Sequence, residues 1–205
     1  PTQLYRDLLT LILQRNITYR ETKAPLILNW DSEILVQVLW PEAGFVPDNP
    51  NNASIVLRIV YGDVVYLLTG DIEEKIESQL NAYGSAMRTT VVKVPHHGSS
   101  TSSTRRFLEN ITPRIAVISV GHNNRFNHPQ KDILELYDKL NVPVLRTDKQ
   151  GTITSKTDGK VVRIVPELGA PFDIFPFPPP APKNAVKLKP TDDASQEEQS
   201  VKDGD

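Results

Sequence analysis

Cysteine is absent from the 205 residues, which excludes disulfides, thiolate-bound zinc and a cysteine nucleophile. Any metal here must be held by His, Asp, Glu or Asn. Histidine is also scarce, so all four can be followed individually: His96, His97, His122 and His128. Long apolar runs are missing as well. Leu8 to Leu13 and Ile115 to Val120 are far shorter than the roughly 20 residues of a membrane-spanning helix, so the chain as given is expected to be soluble. It lacks a basic-then-apolar leader and begins with Pro1 rather than Met, as expected of a piece excised or processed from a longer protein.

Charge of one sign is also lacking overall, the net being −2. Residues 86 to 150 depart from this, holding ten Lys/Arg against five Asp/Glu, a local +5. A polyanion would suit that segment. Arg88, Lys93, Arg105, Arg106, Arg125 and Lys131 are its candidate groove-lining cations, with a solvated mixed-charge surface as the plain alternative.

Residues 3 to 15 put Leu4, Leu8, Leu11 and Ile12 on one face, predicting an amphipathic helix that packs on something. A strand is expected over Glu33 to Trp40. Ser54 to Tyr61 and Val64 to Thr69 read as a hairpin turned at Gly62-Asp63, glycine first, as a type II′ turn needs. A helix over 72 to 83 follows, with Gly84 as its stop. Strand and helix then alternate: strand Thr90 to Val94, helix Ser103 to Asn110, strand Ile115 to Val120, helix Pro129 to Leu140 and strand Val142 to Arg146. Short strands Thr152 to Ser155 and Val161 to Val165 come last. The pattern predicts an α/β fold with a mixed sheet and flanking helices. Residues 1 to 165 are read as domain, 166 to 182 as a Pro/Phe-rich extension with extended or polyproline-like packing, and 183 to 205 as a disordered acidic tail.

In open α/β sheets ligands gather beyond the carboxyl ends of strands, and three clusters fall there. Asp71 follows Thr69-Gly70 and offers a carboxylate; its plain alternative is an N-cap for the helix that follows. His96 and His97 follow Val91 to Pro95, two adjacent imidazoles before Gly98-Ser99-Ser100, with one of them a metal ligand and the other structural. Ser99 lacks the nucleophile-elbow pattern, because His97 stands where a glycine is required; a capping role is its alternative. The loop Gly121-His122-Asn123-Asn124-Arg125-Phe126-Asn127-His128 could hold a phosphate before a helix N-terminus, or be a surface loop with Asn127 as cap. Asp71 with one or both histidines falls short of a two-metal site, and no H-x-H-x-D-H cluster is present.

Asn51-Asn52-Ala53-Ser54, Leu67-Leu68-Thr69-Gly70-Asp71, Val92-Lys93-Val94-Pro95-His96-His97-Gly98-Ser99 and Ser119-Val120-Gly121 through His128-Pro129 occur in that order. Over about residues 2 to 155 the chain resembles the metallo-β-lactamase-like domain of ComEC-type DNA-internalisation competence proteins. The resemblance implies an αββα sandwich of which this chain holds the second half. It implies two divalent metal ions, manganese or zinc, in the complete family site, with Asp71 as the bridging carboxylate and His96 or His97 as a late ligand. Asp71 and His128 become the expected catalytic groups, and Ser99, Arg125 and His128 the expected substrate contacts. Asn52 or Ser54, where the superfamily's middle histidine is replaced, become candidate weak ligands or water contacts, with His122 a further candidate.

By the same resemblance, the domain belongs to a bacterial inner-membrane protein that imports single-stranded DNA, faces the extracytoplasmic side beside its membrane channel, and hydrolyses DNA phosphodiesters. Activity would depend on an upstream H-x-D-x-D-H motif, which this chain lacks. The alternatives are a metallo-β-lactamase-fold hydrolase of another substrate and a non-catalytic DNA-binding or interaction module.

Overall fold

The computed structural model describes residues 2–19 and 21–177; the acidic tail expected at 183 to 205 lies outside them. Seven strands form one sheet in chain order: β1 (Leu26–Leu28), β2 (Leu35–Trp40), β3 (Val56–Tyr61), β4 (Val64–Leu68), β5 (Val91–Lys93), β6 (Ile115–Ile118) and β7 (Val144–Arg146). Pairing is antiparallel from β1 to β4 and parallel from β4 to β7, the mixed sheet expected. The hairpin turn is where the sequence places it, with Tyr61 opposite Val64 and Gly62 at φ 54°. Only glycine enters that region without strain. A side chain there would also meet the Gly159 carbonyl, at 2.5 Å from a Cβ.

The alternation of side chains along β5 and β6 builds two cores. Val92, Ala116 and Ile118 face a layer of helices, α2 (Glu74–Leu80), α3 (Arg105–Ile111) and α4 (Lys131–Lys139), which contribute Ile76, Leu80, Phe107, Leu108, Ile111, Ile133 and Tyr137. Val91 and Ile115 face the opposite way, onto Val162 and Ile164 of a second, three-stranded sheet. Each fully buried aliphatic or aromatic side chain of this kind contributes about 1.5–3 kcal/mol. The layers are therefore helix, large sheet, small sheet, consistent with the expected fold.

The small sheet is β8 (Ile153–Thr157), β9 (Val162–Pro166) and β10 (Phe172–Ile174), all antiparallel. β10 lies in the segment after Pro166 for which extended or polyproline-like packing was expected, and there the chain is extended as a paired strand. Phe172 and Ile174 pack on the second core, so alternating burial outweighs the flanking prolines. The first strand, β1, and a one-turn helix, α5 (Thr147–Gln150), were not expected from the sequence; both are too short to show a period.

Helix α1 (Gln3–Gln14) forms where the periodicity places it, with the Thr2 hydroxyl accepting from the Tyr5 N–H. The packing expected for its apolar face is not seen. None of its residues is buried among the described residues, and Leu4 and Leu8 stand exposed.

Candidate functional site

The parallel register sets Leu68 beside Lys93 and Lys93 beside Val117. The segments leaving β4, β5 and β6 therefore emerge side by side, bringing Asp71, the histidine pair and the loop 121–128 together. Helix α2 begins later than its sequence indicates. The Glu73 N–H is captured by Asn52 Oδ1 at 3.0 Å and the Glu74 N–H by the Thr101 carbonyl at 2.9 Å, so the helix starts at Glu74. Asp71 is consequently not its cap. Its own N–H donates to Ser54 Oγ at 2.9 Å, and Gly70, at φ 56°, lies so near Ser54 that a Cβ would stand 2.5 Å from the serine Cβ.

His96 and His97 both adopt left-handed backbone, φ 46° and 55°, a conformation costing about 1–3 kcal/mol each outside glycine. Consecutive left-handed residues turn the two imidazoles into different surroundings. His97 donates from Nδ1 to the Ser119 carbonyl at 2.6 Å, which turns Nε2 toward Asp71, 3.5 Å from its Oδ1. An imidazole whose second nitrogen is held by a backbone carbonyl is the usual form of a metal-binding histidine. His96 has protein partners at both nitrogens: Asn51 Nδ2 at 3.3 Å from Nε2, and Thr101 Oγ1 at 3.2 Å and Glu73 Oε1 at 3.4 Å from Nδ1.

Lys93 places its ammonium 3.6 Å from Asp71 Oδ1 and donates to the Gly70 carbonyl. Burial lowers its pKa, against the opposing pull of Asp71. Beyond His97 opens a pocket of about 460 Å³, lined by Ser119, Val120, Gly121, Asn124, Phe126, His128 and Thr147 together with His97 itself. Asn124 braces this loop by accepting from the His128 N–H at 2.9 Å and donating to the His128 carbonyl at 2.7 Å. The His128 ring lies edge-on to His96, at 5.7 Å between centroids, and its buried Nδ1 has no hydrogen-bond partner among the described residues. Burial, then the neighbouring His96 and His97, lower its pKa, so His128 is neutral at physiological pH.

The remaining expectations divide. Neither Arg125 nor His122 lines the pocket; Arg125 sets its guanidinium 4.9 Å from the ring of Phe126, which does, and His122 is exposed. Ser99, expected to touch substrate, is only 7% exposed and pairs with Thr101. It caps no α-helix; α3 is capped by Thr104. Asn52 is 3% exposed and occupied with Glu73 and Asp48, which makes it a brace. Asn127 caps nothing either, since α4 begins at Lys131, after the Gln130 N–H has bonded to the Gly98 carbonyl.

Of the six cations offered as a basic groove, Lys93 lies at Asp71 and Arg125 by Phe126. Arg88 precedes β5, at the opposite end of the sheet, and sits near Phe177. Arg105 and Lys131 are each paired with a glutamate four residues on. Asn51, Glu73, Thr101, Ser119 and Thr147 went unrecognised as site residues, since each acts through a partner at least 20 residues distant.

Asp71 Oδ1 and His97 Nε2 are spaced so that both could reach one ion at ordinary ligand distances of about 2.0–2.2 Å. Among the described residues no group of three His, Asp or Glu side chains is placed to hold a metal. A family model described as "Metallo-beta-lactamase superfamily" matches residues 7–122. The chain belongs to the metallo-beta-lactamase superfamily. Proteins of this superfamily generally bind divalent metals. ComE operon protein 3 of Bacillus subtilis (strain 168) is 37% identical over 129 residues, which are 63% of this chain and 16% of that protein. Competence protein ComA of Neisseria gonorrhoeae is 38% identical over 104 residues, 50% of this chain and 15% of the relative. Uncharacterized protein YcaI of Escherichia coli (strain K12) is 33% identical over 116 residues, 56% and 15%. The first two are ComEC-type competence relatives of the kind the motifs pointed to, and the chain spans about one-sixth of the length of these relatives.

Proposed function

We propose that this superfamily member is part of a metal-dependent hydrolase domain acting on DNA phosphodiesters within a competence-type DNA-uptake protein. The observation that carries it is the pairing of Asp71 Oδ1 with His97 Nε2, 3.5 Å apart, at the mouth of a pocket lined by His128. In this reading Asp71 and His97 hold manganese or zinc, His97 being the ligand of the pair and His96 the structural partner. A bound divalent ion would supply activated water and offset phosphodiester charge. Ser54 and Gly70 fix Asp71, and the Ser119 carbonyl fixes the His97 tautomer. His128, neutral and lining the pocket, contacts the phosphate or accepts a proton from the attacking water, and Arg125 contacts the strand.

The likeness to competence protein ComA supports the uptake context. A membrane channel in the same full-length protein and an extracytoplasmic location belong to that proposal. Among the described residues no helix is long and apolar enough to cross a membrane.

The test supplies manganese to this chain and to a version extended upstream to include an H-x-D-x-D-H segment, and measures hydrolysis of single-stranded DNA. Cleavage by the extended form, lost in Asp71→Ala, is the expected result. DNA binding without cleavage in either form would overturn the enzyme reading in favour of a non-catalytic binding module. Hydrolysis of a lactone but not of DNA would overturn the substrate.

A further inference from the structure

Phe126 stands at the rim of the pocket with 60% of its surface exposed, although a ring of that size gains most by burial. It is nevertheless held in place. Its ring stacks on His128, with centroids 5.9 Å apart and planes inclined by 18°, and Gln130 Nε2 donates to its carbonyl at 3.3 Å. The loop that presents it is fixed by the Asn124 bonds to both backbone groups of His128 and by left-handed Asn123 and Asn127, both at φ 56°. Asparagine tolerates that conformation better than most residues. Arg125, over the same ring, has no ion pair among the described residues.

We infer that Phe126 is a stacking platform for a nucleobase of a single strand, with the adjoining phosphodiester directed toward His97 and His128. Three observations carry this. Phe126 and the two histidines line one pocket. At about 460 Å³, its volume falls in the range of small-ligand sites, about 300–1,000 Å³. An exposed aromatic beside an arginine that has no ion pair among the described residues is also the pairing that single-strand-binding proteins use, the ring taking the base and the cation the backbone. Bases within a duplex are already stacked on each other and cannot take the ring face, so Phe126 selects single strands. The inference rests on the proposed phosphodiester substrate and names the part of it that is read.

The test is fluorescence anisotropy of this chain with a labelled oligothymidylate and with an abasic strand of equal length, in manganese, with strand integrity checked on a gel. Stacking of one base predicts roughly tenfold tighter binding of the base-bearing strand. Phe126→Ala, at an exposed position whose fold can be checked by circular dichroism, should remove that difference. Phe126→Trp should keep it and add indole quenching on binding. Equal binding of both strands by the parent chain, or a preference that survives Phe126→Ala, overturns the platform while leaving the phosphodiester reading intact. Binding of neither strand overturns the phosphodiester reading itself, and the platform with it.

Discussion

Gly98 approaches Pro129 so closely that a Cβ on the glycine would stand 2.6 Å from the proline Cβ. That contact, with the Gln130 N–H bonded to the Gly98 carbonyl at 2.9 Å, ties the segment carrying His96 and His97 to the one carrying His128. Gly98 also lies at φ 82°. Gly98→Ala therefore meets both a steric clash and backbone strain, and should destabilise the fold by about 1–3 kcal/mol. Urea denaturation measures this, and an alanine variant as stable as the parent would show that the approach can relax.

The two adjacent histidines should respond differently to removal. His97→Ala deletes the imidazole that faces Asp71 and should weaken manganese binding by roughly 100-fold. His96→Ala removes a ring already engaged with Asn51, Thr101 and Glu73 and should weaken it by roughly tenfold or less, the effect of a supporting residue. Isothermal titration calorimetry compares them. Equal losses would place both rings on the ion.

Glu77 is fully buried and accepts from the backbone N–H of Ser103 and Thr104, at the start of α3. Burial raises its pKa, in spite of those bonds. A carboxyl group whose folded pKa is raised contributes most when both states are protonated, and loses that contribution as pH rises from the unfolded value through the folded one. Relative to Glu77→Gln, the parent should therefore be favoured most below the ordinary carboxyl value of 4.5 and progressively less as pH rises above it. Chemical denaturation across that range gives the slope; an advantage growing with pH would mean that the two amide bonds outweigh burial.

Trp40 is 1% exposed and donates its indole N–H to the Asn52 carbonyl at 2.6 Å. Trp40→Phe keeps most of the apolar surface but leaves that carbonyl unpaired, at a cost of about 1–3 kcal/mol. Because Asn52 Oδ1 receives the Glu73 N–H, the change should also loosen the start of α2. Hydrogen exchange at the Glu73 amide would rise; an unchanged rate would uncouple the two.

Much of the fold was legible in the chain because its signals are local. The hairpin turn at Gly62-Asp63, the strand and helix alternation through β5, β6 and β7, and the amphipathic period of α1 each need only a short window of sequence. Element ends were less legible. The start of α4 is set by Gly98, about 30 residues upstream, and β10 is a strand only because β9 is there to pair with it.

The sequence by itself determined that no thiolate chemistry is available, and its ordered motifs named the superfamily that the residue 7–122 match then established. It also marked Asp71, His96, His97 and His128 as the residues to watch. Only the tertiary structure decided between the readings left open for them. Asp71 is released from capping because Asn52 and Thr101 capture the amides at the start of α2. His97, and not His96, turns to Asp71 because the parallel pairing of β5 with β6 brings the Ser119 carbonyl to its Nδ1. Hydrogen bonds across such distances in the chain leave no periodic trace in sequence, and they are what gives each imidazole its orientation.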